Sequence, residues 1–137
     1  MEAMWVAKKD VDKVWLQVEP MLLSALKKNI PLWNTDDIYE GVMKDEMQLW
    51  IAYEDEEEKI YGAVITQVMV YPRGKLVNVF LLGGNNIRMW KDKMAEKIEA
   101  FSREEGCLYL QAIGRKGWQP LFPDMFESAS IIIKVLD

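Results

Sequence analysis

The sequence predicts an α/β (α+β) fold: a mixed, mostly antiparallel sheet with one parallel pair, 76–82 and 108–113, flanked by helices. Three observations carry this. Residues 48–82 hold three apolar runs separated by a charged stretch and a Pro-Gly turn, the pattern of an antiparallel meander. Two segments, from Val11 and from Ile87, repeat their apolar residues at helical spacing. Strand 108–113 follows strand 76–82 through a helix, which makes the pair parallel with a right-handed crossover. At 137 residues the chain fits one domain, 1–137.

The elements follow in order. Met4 to Lys8 is a short apolar start that reads as a strand. Asp10 reads as an N-cap, and Val11, Val14, Trp15, Val18, Met21, Leu22, Ala25 and Leu26 follow at helical spacing. Pro20 lies inside that pattern, so the helix is expected to kink or restart there. Asn34 or Thr35 caps a second helix, with Asp36 and Asp37 in its first turn where they favour the helix dipole and Ile38, Tyr39, Val42 and Met43 as its stripe. Gln48–Tyr53 reads as a strand. The charge run over Glu54–Lys59 reads as a solvated hairpin loop and not as a metal site. Ile60–Tyr71 is apolar on both faces and should be central. Pro72-Arg73-Gly74-Lys75 has turn chemistry, and Leu76–Leu82 is the returning strand. Ile87, Trp90, Met94, Ile98 and Phe101 form the stripe of a helix that Gly106 ends. Leu108–Ile113 is a strand, 114–122 a turn or short helix, and Phe126–Leu136 a final strand.

Composition limits what the protein does. Half the residues are apolar and 28% are charged, so the chain is globular. The net charge of −5 argues against nucleic acid as a partner, because phosphate neutralisation needs a basic face, and it suits a cationic one: an amine, a polyamine or a basic peptide. A single cysteine, Cys107, permits no intramolecular disulfide and fits a reducing compartment; it reads as a buried, inert thiol. With no apolar signal segment at the start and no run long enough to span a membrane, a cytoplasmic location is expected. There is no histidine. The usual general base at neutral pH is therefore missing, together with His-bearing zinc sites and catalytic triads. Six Trp and nine Met either fill the core or line an apolar groove for a flexible ligand or partner.

The stretch FLLGGNNIRMW, residues 80–90, takes a strand through two glycines and two asparagines into a helix. Such a junction is a ready phosphate cradle. It is also an ordinary turn: the glycines free the backbone to leave the strand, and Asn85 or Asn86 caps the helix.

The order strand, helix, helix, three-strand meander, helix, strand, short helix, strand resembles the GNAT superfamily, the Gcn5-related N-acetyltransferases. The run LVNVFLLGGNNIRMWKDKMAEKIEAFSREEGCLYLQAIGRKGW is most similar to small GNAT-like proteins of tailed bacteriophages, with a glycine pair after the fourth strand and Gly114-Arg115-Lys116-Gly117-Trp118 after the fifth. The resemblance implies that these two strands splay, that the pantetheine arm of acetyl-CoA pairs with the exposed backbone of the fourth, and that its pyrophosphate sits before the third helix. Val79, Phe80 and Leu81 would edge the pantetheine channel. Gly83, Gly84, Asn85, Asn86 and Ile87 would lie near the phosphates, with Arg88 the nearest cation in sequence and Arg73, Lys75, Arg115 and Lys116 as further basic residues.

The sequence departs from the family pattern at three places. The (Gln or Arg)-x-x-Gly-x-(Gly or Ala) loop is absent. The segment GWQPLFPDMF has no Tyr where many members carry a general acid, which leaves Tyr39 and Tyr109 as substitutes or as packed aromatics. Strand 76–82 has no Glu to serve as base; its polar residue, Asn78, either faces solvent or lines the cleft. Catalytic residues are thus not assigned. Two functions fit: an N-acyltransferase moving an acetyl group from acetyl-CoA to a small amine or basic peptide, or a non-catalytic phage protein of this fold that binds a phage or host protein, in the virion or the host cytoplasm.

Overall fold

A computed structural model describes residues 1–29, 31–113, 124–125, 128 and 131–136. Among the described residues there are five strands, β1 (Glu2–Trp5), β2 (Gln48–Glu54), β3 (Lys59–Tyr71), β4 (Gly74–Gly84) and β5 (Tyr109–Ala112), and three α-helices, α1 (Val11–Leu26), α2 (Thr35–Met43) and α3 (Ile87–Glu104). The sheet order is β1-β2-β3-β4-β5. Each neighbouring pair is antiparallel except β4–β5, which is parallel. The expected fold class and the central place of the third strand are both observed.

The sheet separates two apolar cores. On one face Val18 and Leu22 of α1 and Ile38 and Val42 of α2 pack with Leu49, Ile51, Ala63, Ile65 and Leu81. On the other, Trp90, Met94, Ile98 and Phe101 of α3 pack with Trp50, Val64, Val77 and Val79. The α3 stripe is the one its sequence spacing predicts.

Several local expectations change. The first strand is Glu2–Trp5 instead of Met4–Lys8, and Val6 continues its pairing through a single bond from its N–H to the Leu49 carbonyl. Pro20 does not interrupt α1, which is one helix over Val11–Leu26. Proline removes the bond to the carbonyl of Leu16, and both residues lie on the exposed side of the helix, where losing that bond costs less than it would in the core. Asp10 precedes α1 without capping it; its carboxylate accepts from Lys13 Nζ at 2.9 Å. Asn34 does cap α2, in a full capping box: its side chain accepts from the Asp37 N–H at 3.0 Å and the Asp37 carboxylate accepts from the Asn34 N–H at 2.9 Å. Cys107 is half-buried instead of fully buried. Of the expected final strand, residues 128 and 131–136 are described. They have no regular structure, and Ile131, Ile132, Ile133, Val135 and Leu136 are exposed. β-Propensity alone makes no strand; a strand needs an edge to pair with. The expected turn or helix at 114–122, with Arg115 and Lys116, lies outside the described residues.

Candidate functional site

The feature that sets this sheet apart lies on β4. Ile65 pairs with Leu81, but the next residue, Thr66, pairs with Val79. Phe80 is therefore the extra residue of a bulge, which bends a strand and re-aims its side chains. The effect on β4 is direct: Val79 faces the α3 core, whereas Leu81, two residues on, faces the α1 core. Without the bulge both would share a face.

The parallel pairing stops at the same point. β4 and β5 match Leu76 with Tyr109 through Val79 with Ala112 and no further. From Phe80 to Gly84, β4 keeps β3 on one side and has no strand partner on the other among the described residues. The described pairing of β4 with β5 thus ends where the expected splay would begin. Its mouth is lined by Phe80, Leu81, Leu82, Ile113, Ala25, Lys28 and Asn29, and the cavity there is about 20 Å³, close to the volume of one water-sized sphere.

At the far end of β4 the glycine pair serves packing. A Cβ on Gly83 would sit 2.3 Å from the Met21 carbonyl oxygen, so its lack of a side chain is what lets α1 lie against β4. Gly84 has φ +126°, and a Cβ there would come 2.2 Å from the Tyr61 carbonyl oxygen. Both glycines lie inside β4, paired with Ala63 and Gly62, instead of forming a turn beyond the strand. The turn is Asn85-Asn86. The Asn85 N–H donates to the Tyr61 carbonyl at 2.7 Å, and the Asn85 carbonyl accepts from Trp90 Nε1 at 2.7 Å. Asn86 is the N-cap of α3 but is left-handed, at φ 55° and ψ 39°, and its side chain does not cap. The first N–H groups of α3, on Ile87 and Arg88, thus have no side-chain acceptor from the cap. The first turn holds no acidic residue and does hold the exposed Arg88.

Asn78 is 5% exposed, so it does not face solvent. It is the middle of a cross-strand amide row: Gln111 Nε2 donates to Asn78 Oδ1 at 3.2 Å, and Asn78 Nδ2 donates to Gln67 Oε1 at 3.1 Å. The row crosses β3, β4 and β5 two residues before the bulge. Neither candidate tyrosine lines the splay. Tyr39 donates to Asp12 Oδ1 at 2.6 Å and packs on Trp15, and this hydrogen bond raises its pKa above the usual tyrosine value. Tyr109 is 70% exposed, at the start of β5 opposite Leu76.

Sequence reasoning missed the bulge, the amide row and Trp33, whose ring meets Phe80 edge-on at 5.1 Å. A signal for the row exists, because Gln67, Asn78 and Gln111 are each the single amide in an apolar strand. Among the described residues no group of three or more Cys, Asp or Glu is placed to hold a metal ion, and no helix is long and apolar enough to cross a membrane.

No protein-family model matches this sequence, and neither does any curated protein. Solved structures do match in fold. An aminoglycoside acetyltransferase from an uncultured soil metagenomic sample, in complex with sisomicin, superposes with a TM-score of 0.69 at 15% identity, over 99% of this chain and 96% of its own. A GNAT family acetyltransferase from Staphylococcus aureus gives 0.67 at 15% identity, over 99% and 100%. A possible acetyltransferase from Clostridium difficile gives 0.66 at 10% identity, over 99% and 97%. The chain has the fold of the GNAT acetyltransferases.

Proposed function

We propose that the protein is an acyl-CoA N-acyltransferase that moves an acetyl group from acetyl-CoA to a small amine. The observation that carries this reading is the end of the described β4–β5 pairing: among the described residues β4 runs five residues past it, starting at the bulge residue Phe80. An unpaired strand edge receives an extended ligand arm by strand addition. Val79, Phe80 and Leu81 stand at its start. The N–H groups of Ile87 and Arg88, with the Arg88 guanidinium, lie where a diphosphate would complete an uncapped helix end. Asn85 contributes only its position, since its N–H is bonded to Tyr61, and Gly83 and Gly84 contribute close packing. Lys28 adds a cation at the mouth of the splay.

Acetyl-CoA supplies an activated thioester. The chain supplies positioning, since among the described residues no carboxylate, tyrosine or thiol lines the splay. Gln111, held by Asn78, offers a neutral hydrogen-bonding group on β5 instead of a base. The acetyltransferases of like fold, one of them an aminoglycoside enzyme, support an amine as acceptor, and so does the net charge of −5.

The small cavity favours a second reading, a protein of this fold that binds a phage or host partner in the virion or the host cytoplasm without transferring acyl groups. At about 20 Å³ the mouth admits no pantetheine arm until Phe80, Leu82 or Ile113 moves. Thermal unfolding against acetyl-CoA separates the two. A ligand bound only by the native state raises stability by about 2.7 kcal/mol at a concentration of ~100 Kd. A rise in melting temperature, followed by release of free CoA thiol on adding an amine, is the expected result. An unchanged melting temperature at millimolar acetyl-CoA would leave the binding-protein reading.

A further inference from the structure

Gln67, Asn78 and Gln111 stand directly opposite one another on β3, β4 and β5. Their neighbours fix the face they occupy. Val68 on β3, Val77 and Val79 on β4, and Leu110 and Ala112 on β5 all pack with the α3 core. The three amides therefore point to the opposite face of the sheet, the one that α1 and α2 cover. The mouth between β4 and β5 opens on that same face, since Ala25, Lys28 and Asn29, at and just past the end of α1, line it. Ile113 lines it too and lies two residues beyond Gln111, on the same side at strand spacing. The β5 end of the amide row thus stands roughly 6.6 Å along the strand from the mouth.

The row has a direction. Gln111 donates to Asn78, and Asn78 donates to Gln67. One acceptor is left over: Gln111 Oε1 accepts from no group among the described residues. Asn78, buried between its two partners, keeps that oxygen pointing outward. Turning the Gln111 amide alone would set Oε1 against Asn78 Oδ1, acceptor to acceptor. Sheet stability does not call for such a row, because matched apolar side chains would serve as well. We propose that Gln111 orients the attacking nitrogen of the acceptor, with Asn78 as a positioning residue behind it. Oε1 accepts one N–H of the amine, which leaves the nitrogen lone pair facing the thioester carbon. This assignment rests on the transferase reading. In the step itself the lone pair forms the N–C bond, the C–S bond breaks and CoA leaves as thiolate. The nitrogen loses one proton to water and the thiolate takes one from water, since an amide takes neither. A neutral acceptor suits this step. A carboxylate in the same place would favour the ammonium form, which has no lone pair to attack with.

Steady-state kinetics with acetyl-CoA and n-butylamine, read as release of CoA thiol, test this. Gln111→Met keeps the length of the side chain and removes the acceptor. Its kcat should fall about fivefold to tenfold, the worth of one neutral hydrogen bond, with the acetyl-CoA thermal shift unchanged. Gln67→Met breaks the other bond of the row, away from the mouth, and should keep the wild-type kcat. Gln111→Glu retains an acceptor oxygen but charges it. The pH midpoint of kcat should then move upward, because a carboxylate holds the amine as ammonium. Lys28, the one charged side chain in the described mouth lining, is common to all variants. Equal loss of kcat in Gln67→Met and Gln111→Met, or a wild-type midpoint in Gln111→Glu, would make the row merely structural and overturn the assignment while the transferase reading stands. No thiol release by wild type would overturn it as well. The acetyl-CoA thermal shift then shows whether cofactor binding, and with it the transferase reading, also fails.

Discussion

Trp90 joins the α3 core to the site, and its replacement separates two contributions. The side chain is fully buried among Met94, Ile98, Val64 and Val79. Its ring covers Gly62 so closely that a Cβ there would lie 2.3 Å from it. Its Nε1 donates to the Asn85 carbonyl at 2.7 Å. Trp90→Ala removes all three contacts, and deleting a fully buried Trp costs about 3–5 kcal/mol. The Asn85 carbonyl loses its donor as well, which adds roughly 1 kcal/mol. Trp90→Phe keeps most of the burial and isolates the second effect at roughly 1 kcal/mol. Urea unfolding followed by circular dichroism gives both values without relying on the tryptophan that was removed. At about 3–4 °C per kcal/mol for a domain of this size, Trp90→Ala should melt at least ~12 °C lower. If it loses under about 1 kcal/mol, the packing of α3 on the sheet is misread. If Trp90→Phe matches wild type, the bond to Asn85 does not hold the turn.

Three further outcomes are expected. Gly84→Val should cost roughly 3 kcal/mol or more, because φ is +126° and the Tyr61 carbonyl occupies the Cβ position; an unchanged melting temperature together with lost acetyl-CoA binding would instead make this glycine part of a phosphate cradle. Asn34→Ala should destabilise by about 1 kcal/mol through loss of the α2 capping box, read by chemical denaturation. Glu2 and Lys93 bond at 2.7 Å and tie β1 to α3, which lowers the Glu2 pKa and raises that of Lys93. Their contribution is therefore present above the ordinary Glu value and below the ordinary Lys value; it fades as pH falls through the lowered Glu2 pKa or rises through the raised Lys93 pKa. Glu2→Gln should accordingly differ from wild type most at neutral pH and low salt, and a gap that persists unchanged at pH 2 would refute the pairing.

The sheet and helices were legible because each carries its own periodicity. The stripe from Ile87 to Phe101 and the two-faced apolar run of β3 need no tertiary information. The site was less legible, because it depends on register. Nothing local marks Phe80 as the extra residue; that follows only from which residues of β3 and β4 stand opposite. Asn78 shows the same limit. A lone amide in an apolar strand fits solvent or a cleft, and its burial is decided by Gln67 and Gln111, 11 and 33 residues away in sequence. The glycine pair was read for its freedom, and Gly84 uses it. Gly83 answers to the approach of Met21, a contact between segments that the sequence does not bring together.

The bulge at Phe80 also bears on how this chain tolerates evolutionary change. The extra residue can be lost without inverting the strand: deleting Phe80 would make Val79 and Leu81 adjacent and leave them on opposite faces as they are. Deleting a residue elsewhere in 76–84 would shift the side chains beyond it by one and turn them to the wrong core. Substitutions in β4 perturb one contact at a time, whereas a single-codon deletion outside the bulge inverts the strand's end. Length variation among descendants of this sequence should therefore collect in the 55–58 turn, whose residues are exposed, and at Phe80, and stay out of the rest of 76–84.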